Sequence, residues 1–230
     1  MTLNVKTFSA FCEELIARKL PIRWFGNARA DNLTDAAFVE RLHQAGCWML
    51  ALGIETESEE TRKDMQKRLD GQKIRTAITN MRTAGVRSFA FFILGYPGDT
   101  PASLDRTIDY AIELDPDFAN FYPAVPYPGT ELYAKAKRAG LLGREDWSRM
   151  EYSYYLLSGN VLDEPTVMGA INRAKRRFYL RPAYLGRHAG DVLRLTLTKW
   201  RLAWHVASRM FFGTRVTDAA TVGTADRRAA

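Results

Sequence analysis

The sequence predicts an α/β protein in which helices cover a parallel sheet. Amphipathic stretches with a helical period alternate with short apolar stretches in the order α-β-α-β-α-β-α-β-α. The apolar stretches are nearly continuous hydrophobic runs, as in strands that are buried on both faces. Alternation of this kind predicts neighbouring strands whose carboxyl ends all lie at one edge of the sheet.

The predicted strands end in glycine- and proline-rich turns. The strands are expected over residues 22–28, 47–56 and 88–94 and within 117–125. The strand ends carry residues that are unusual for a plain strand: Asn27-Ala28-Arg29, Gly53-Ile54-Glu55-Thr56, Gly95-Tyr96-Pro97-Gly98 and Pro126-Tyr127-Pro128-Gly129.

The helices are predicted from start and stop signals. They are expected over 4–19, 35–46, 58–70, 72–85, 102–114 and 131–139. Thr34, Ser58 and Thr100 are the expected caps, and Gly71 is expected to break the helical stretch that opens at Ser58. Arg62 is expected to begin a polar face of that stretch. Asp99 and Asp115 are interpreted as cap or turn residues rather than as an acid–base pair.

Beyond Trp147 the pattern becomes helical. A helix with a basic face is expected over 161–180, and an amphipathic helix over 187–212. The apolar stripe of the second helix consists of Leu193, Leu197, Trp200, Trp204 and Phe211 and is expected either to pack on the α/β part or to contact a membrane surface. The predicted domains are an α/β part over 1–145, a helical extension over 146–213 and a disordered tail over 214–230.

Composition excludes some classes of function and leaves others open. Two cysteines, Cys12 and Cys47, are too few for a disulfide framework and favour a reducing, cytoplasmic location. The sequence has no signal-peptide pattern and no run of 18 apolar residues. The net charge of +7 is concentrated near the carboxyl terminus, where a basic helix either contacts an anionic membrane peripherally or is only a solvated face. No motif indicates nucleic-acid binding.

The strand-end residues predict a binding site for an adenine-like heterocycle. Glycine lets a ligand approach the backbone closely, and proline fixes the direction of the turn. Glu55 can accept hydrogen bonds from sugar hydroxyls, and Arg29 can pair with a carboxylate. Each feature alone is typical of an ordinary turn, cap or surface charge, but four on one edge favour a site. An α/β enzyme with another cofactor is the remaining interpretation, although no phosphate loop, G-x-G-x-x-G, H-E-x-x-H or clustered histidine supports it.

Four segments in order resemble the radical S-adenosylmethionine (SAM) superfamily, especially members with a cobalamin-binding domain. They are "NARAD", "LALGIETESEETRKDMQK", "FFILGYPGDTPASLDRTIDYAIELDPDFANFYPAVPYPGTELY" and "RFYLRPAYL". The resemblance implies a partial (β/α)6 barrel, of which this chain supplies strands three to six and a helical extension. It also implies a [4Fe–4S] cluster and reductive cleavage of SAM to a 5′-deoxyadenosyl radical.

The resemblance also assigns positions to the ligand. The Gly53-Ile54-Glu55 strand end would face the ribose, the strand "FILGYPG" would present backbone to adenine, and Arg29 would lie near the methionyl carboxylate. The expected cofactor-binding residues are Asn27, Arg29, Gly53, Glu55, Phe92, Leu94, Gly95, Pro97 and Gly98.

The chain departs from the family at the cluster. The C-x-x-x-C-x-x-C motif is absent, and Cys12 and Cys47 are far apart in sequence. We therefore expect the carboxyl-terminal part of a radical SAM enzyme that is inactive alone. Its partners would be the missing amino-terminal portion or a complementing chain, with cobalamin on a missing domain and an unknown organic substrate. The alternative is a non-catalytic remnant that binds a nucleoside or a partner protein.

Overall fold

Four parallel strands form the central sheet of the protein. The computed structural model describes residues 4–67, 69–142, 154–157 and 161–199. The strands lie in sequence order and pair only in parallel: β1 (Trp24–Ala28), β2 (Cys47–Glu55), β3 (Arg87–Leu94) and β4 (Phe118–Pro123). The predicted α/β class and its parallel sheet are confirmed, and the four strands do not close into a barrel.

Helices connect the strands and continue beyond them. The described residues contain α1 (Val5–Ala17), α2 (Ala36–Gln44), α3 (Glu59–Asp64), α4 (Gly71–Thr83), α5 (Pro101–Leu114), α6 (Glu131–Arg138), α7 (Glu164–Tyr179), α8 (Pro182–Arg187) and α9 (Ala189–Thr198), with a short 3-10 turn over Ala30–Leu33.

Most of the expected helix signals are confirmed, and two are wrong. Thr100 caps α5, and Pro101 opens its first turn. Thr34 does not cap α2, because its hydroxyl donates to the carbonyl of Asp31, while the Asp35 carboxylate accepts from two amides of the first turn. Gly71 does not break a helix but is the first residue of α4, which the Asp70 carboxylate caps.

The two faces of the sheet have different surroundings. On the helix-covered face, side chains such as Leu52, Phe92 and Phe121 are almost fully buried, and Phe121 packs edge-to-face on Phe178 of α7. The opposite face, called the aromatic face below, carries residues that alternate with these along each strand. Its aromatic members are Phe25, Phe89, Phe91, Phe118 and Tyr122.

The two edges of the sheet also differ. At the β4 edge, the Tyr179 hydroxyl accepts from the amide of Ala119 at 3.0 Å and donates to its carbonyl at 2.7 Å. The Asn120 side chain accepts from the next amide, that of Phe121. At the β1 edge, the Phe25 side chain is 65% exposed. The β4 edge is therefore partly covered by side chains from within the protein.

The chain divides into two compact units, residues 1–181 and 182–230. In the first, α7 packs against α5, with Arg173 and Arg177 paired to Asp105 and Asp109. The predicted boundary after residue 145 lies outside the described residues.

The second unit is described by α8 and α9. The single helix expected from Arg187 is instead interrupted at His188, between Gly186 and Gly190, whose low helix propensity favours a break. Leu193 and Leu197 of α9 are 59% and 74% exposed, whereas the rest of the expected stripe lies outside the described residues. Among the described helices, none combines the length and the apolar character that a membrane span requires.

Candidate functional site

The carboxyl end of β2 contains a bulge that redirects Glu55. Gly53 pairs with Phe91 and Glu55 with the next residue, Phe92, so one residue of β2 is extra. Glu55 has φ = +73°, a left-handed conformation that costs a non-glycine residue roughly 1–2 kcal/mol. Ile54 remains in the core, while the Glu55 side chain lines a cavity on the aromatic face. Local strain of this kind is often found at functional sites.

Lys67 lies against Glu55 and forms an ion pair with it. The Lys67 ammonium donates to Glu55 Oε1, and the two side chains are 39% and 10% exposed. A Cβ atom on Gly53 would lie 2.5 Å from Glu55 Oε1 and closer still to Lys67 Nζ. Glycine at position 53 therefore leaves room for the ion pair. The sequence analysis missed Lys67, because its only signal was a basic side chain twelve residues after Glu55.

A cavity of about 380 Å³ opens beside Glu55 at the carboxyl ends of β3 and β4. Its lining residues are Glu55, Phe91, Ile93, Tyr122, Pro123, Val125 and Tyr127. A second cavity, of about 280 Å³, shares Ile93 and Val125 with it. A site with mainly apolar walls, one carboxylate and two phenol groups suits a flat heterocycle that carries hydroxyl groups.

A smaller cavity, of about 60 Å³, places Arg29 near the same strand end. Arg29, Gly53 and Lys67 all line it. The Arg29 guanidinium bonds the Asp31 carboxylate at 2.8 Å, which raises the pKa of Arg29 and lowers that of Asp31. Asn27 is exposed on the aromatic face of β1, in register with Ala51. The structure thus brings Arg29 to Gly53, with its charge already paired to Asp31.

Phe92 and Leu94 have no side-chain access to this site. Both are fully buried on the helix-covered face, and Phe92 stacks on Phe121 at 5.3 Å. The Leu94 carbonyl accepts from the amide of Ala124. Strand alternation explains the placement, since Phe91 and Ile93 are the β3 residues whose side chains line the cavity.

The turn after β3 is organised by its own chain. Asp99 accepts from the amides of Gly95 and Tyr96 at 3.0 and 2.9 Å, and from the Ser103 hydroxyl at 2.7 Å. Burial raises the pKa of the Asp99 carboxyl despite these bonds. Asp99 is therefore a turn residue, as the sequence predicts.

The absence of a side chain at Gly95 leaves space for Tyr155. Its φ is +82°, and a Cβ atom there would lie 2.7 Å from Tyr155 Cε2 and 3.0 Å from a methyl of Val167. The Tyr155 hydroxyl also donates to the Gly95 carbonyl. A side chain larger than hydrogen at residue 95 would therefore collide with Tyr155. Gly98 is exposed, with φ = +95°, and Pro97 is half-buried beside it.

The residues present do not fit an iron–sulfur cluster. Cys12 and Cys47 are buried, and burial raises the pKa of both thiols, that of Cys47 to about 12. A cluster is held by several converging thiolates, and this chain has only these two cysteines. Across the part of the chain that the structure describes, no group of three or more His, Cys, Asp or Glu is placed to hold a metal ion.

Comparisons with known proteins relate this chain to radical SAM enzymes. The family model of the radical SAM superfamily matches residues 6–111. The anaerobic magnesium-protoporphyrin IX monomethyl ester cyclase of Cereibacter sphaeroides is 28% identical over 185 residues, which are 79% of this chain. The chain spans 30% of that relative's length.

Two solved structures show the same fold. Coproporphyrinogen III oxidase (HemN) of Escherichia coli, a radical SAM enzyme, has a TM-score of 0.55 at 17% identity, covering 77% of this chain and 37% of HemN. The radical SAM methyltransferase TsrM of Kitasatospora setae, with cobalamin and a [4Fe–4S] cluster bound, has a TM-score of 0.50 at 18% identity, covering 58% of this chain and 26% of TsrM. Residues 6–111 of this chain thus match the radical SAM superfamily, and the four-stranded sheet is an open, partial barrel similar to the barrels of radical SAM enzymes.

Proposed function

We propose that the chain binds the adenosyl part of SAM at the carboxyl ends of β2 and β3, as part of a radical SAM enzyme. One observation carries the proposal. The bulge at Gly53 holds the Glu55 carboxylate beside an apolar cavity, within the segment that matches the superfamily. A carboxylate there can accept hydrogen bonds from both ribose hydroxyls, and Phe91 and Ile93 supply apolar walls for the base.

The neighbouring cations fit the other end of the same ligand. Lys67 and Arg29 line one small cavity with Gly53, and both carry positive charge next to the strand end. We propose that they attract the methionyl carboxylate, with Asn27 close by on β1. In this arrangement Gly53 acts by leaving room for the Glu55–Lys67 pair.

The chemistry of the superfamily requires a [4Fe–4S] cluster that this chain's cysteines do not fit. We therefore propose that the cluster ligands come from another part of a longer polypeptide or from a complementing chain, and that this chain alone is inactive. A cobalamin-binding domain would come from the same source. The chain's span of 30% of the cyclase relative's length supports this division.

The aromatic face indicates the class of substrate. Ring centroids lie 4.7 Å apart for Phe89 and Phe91, 5.9 Å for Phe91 and Tyr122, and 6.1 Å for Phe89 and Phe118. Such a surface favours a flat, apolar or aromatic molecule, and the similar cyclase is named for a porphyrin substrate. We propose methyl transfer or another radical change on a substrate of this class, in the reducing cytoplasm.

Binding of SAM and of 5′-deoxyadenosine to the full chain tests the site. Glu55→Ala should weaken binding by about 1–3 kcal/mol, because it removes hydrogen bonds to a charged acceptor. Glu113→Ala is a matched control, since Glu113 also forms an ion pair with a cation, Arg75, but links α5 to α4. Equal loss of affinity in both variants, or in neither, would contradict the proposed site.

A non-catalytic module that binds a nucleoside or partner is the second candidate, favoured by the cysteine count. The two candidate functions predict different results when the chain is combined with a cluster-binding segment. For a radical SAM enzyme, we expect this segment to be encoded in the DNA next to this chain's gene. A radical SAM enzyme should then release 5′-deoxyadenosine from SAM under reducing conditions. A module should bind without turnover, and no C-x-x-x-C-x-x-C segment need be encoded nearby.

A further inference from the structure

Arg62 is a buried arginine next to the candidate site. It is 2% exposed, although the sequence places it where a polar face is expected, and it is the buried residue of the short helix α3. The hydrogen bonds of its guanidinium within the described residues go to main-chain carbonyl oxygens. Burying a charged side chain is costly unless it is hydrogen-bonded, and these carbonyl acceptors offset part of that cost.

The guanidinium connects two separate segments. Its Nη1 atom donates to the carbonyls of Thr56 at 2.5 Å and Glu57 at 2.9 Å, directly after the β2 bulge. Its Nε atom donates to the carbonyl of Leu69 at 3.0 Å, in the loop after α3. The carbonyl of Arg62 itself accepts from the amide of Lys67.

The two members of the Glu55–Lys67 ion pair belong to these same two segments. Glu55 precedes Thr56, and Lys67 lies two residues before Leu69. The backbone of Glu55 is in a strained, left-handed conformation, which surrounding contacts must stabilise. On the other side, the Thr56 hydroxyl contacts that of Thr107 on α5 at 3.1 Å, which fixes the strand end to the helix layer.

We infer that Arg62 is a positioning residue that aligns Glu55 with Lys67 by joining the strand end to the loop after α3. None of the described hydrogen bonds joins Arg62 to the charged atoms of Glu55 or Lys67, so Arg62 acts on the ion pair through the backbone. The inferred effect of Arg62 on the ion pair does not depend on the proposed function, whereas its effect on ligand affinity rests on that function.

The test measures the reactivity of the Lys67 amine in the full chain. Lysines are labelled by reductive methylation with ¹³C-formaldehyde, and the Lys67 signal is assigned by its loss in Lys67→Arg. In Arg62→Met, Lys67 should react about two- to fivefold faster than in the wild type, the range expected when a partly exposed ion pair is lost. Affinity for 5′-deoxyadenosine should fall by about tenfold or more, if the proposed site is correct.

Arg181→Met provides the control for general destabilisation. Arg181 is also largely buried and donates to a carbonyl, that of Phe178, but lies at the end of α7. Its loss should leave Lys67 reactivity unchanged. If Arg62→Met does not fold, Arg62→Lys decides the matter, because lysine keeps the charge but cannot span the carbonyls of Thr56 and Leu69.

The outcomes separate the two hypotheses. Faster Lys67 labelling in the Arg62 variant alone supports the positioning role, even when no ligand binds and the proposed function fails. Wild-type labelling in the folded Arg62 variant, or equal acceleration in Arg181→Met, would overturn it.

Discussion

Substitution of Gly95 by alanine tests how the turn after β3 is built. Gly95 has φ = +82°, and its missing Cβ faces Tyr155 at 2.7 Å. Gly98, three residues later, has φ = +95° with no atom within 4 Å of the same position in the described structure. Gly98→Ala is therefore a matched control that carries the backbone cost without the collision.

The expected magnitudes follow from these contacts. A left-handed alanine costs roughly 1–2 kcal/mol, and this is the whole expected effect of Gly98→Ala. In Gly95→Ala, Tyr155 must also move, which removes its hydrogen bond to the Gly95 carbonyl at 3.0 Å. Leaving that buried carbonyl unpaired adds about 1–3 kcal/mol, so the total loss is about 2–5 kcal/mol.

Urea unfolding of the two single variants and of a Tyr155→Ala background measures these terms. With Tyr155 removed, Gly95→Ala should cost only its left-handed backbone and the tight contacts with the Val167 methyls, which gives a coupling of about 1–3 kcal/mol between residues 95 and 155. Equal destabilisation by Gly95→Ala and Gly98→Ala in the wild-type background would refute the reasoning, because the contact with Tyr155 would then have no measurable cost.

Three further predictions concern other parts of the chain. Burial raises the pKa of Asp99 in the folded state. The free energy of unfolding should therefore fall as pH rises from the usual aspartate pKa, about 4, through the raised pKa. Asp99→Asn should remove this pH dependence when stability is measured by urea unfolding. Tyr179→Phe removes both hydrogen bonds to Ala119 at the β4 edge, and the amide of Ala119 should exchange with deuterium about tenfold faster. The exposed Leu193 and Leu197 predict that α9 binds anionic vesicles and that this binding weakens with salt. Vesicles should shift the tryptophan fluorescence of the wild type but not that of a Leu193→Asn/Leu197→Asn variant. No shift in the wild type at low salt would contradict the prediction.

The fold was predictable because its signals are local. The apolar run at residues 89–94 in β3 ends in a turn, and the adjacent Thr100 and Pro101 supply the cap and the first residue of α5. The confusion of Thr34 with Asp35 has the same local origin, since adjacent capping residues compete and the carboxylate reaches two amides.

The site was only partly predictable because it depends on contacts between distant residues. Glu55 and Gly53 were found from their place at a strand end, but the bulge between them and the ion pair to Lys67 depend on the register with β3 and on the loop after α3. Gly95 was singled out as a special position, but its contact with Tyr155 was not predictable, because Tyr155 is sixty residues away in sequence. Arg62 carried no sequence signal of burial at all.

The most direct test of the central claim maps the ligand on the protein. Titration of the ¹⁵N-labelled chain with 5′-deoxyadenosine should shift amide resonances at Gly53, Glu55, Lys67 and Ile93, around the cavity beside Glu55. The same shifts should be lost in Glu55→Ala and kept in Glu113→Ala. Shifts confined to residues away from the carboxyl ends of β2 and β3, or an unchanged pattern in Glu55→Ala, would contradict the assignment of this edge as the SAM-binding site.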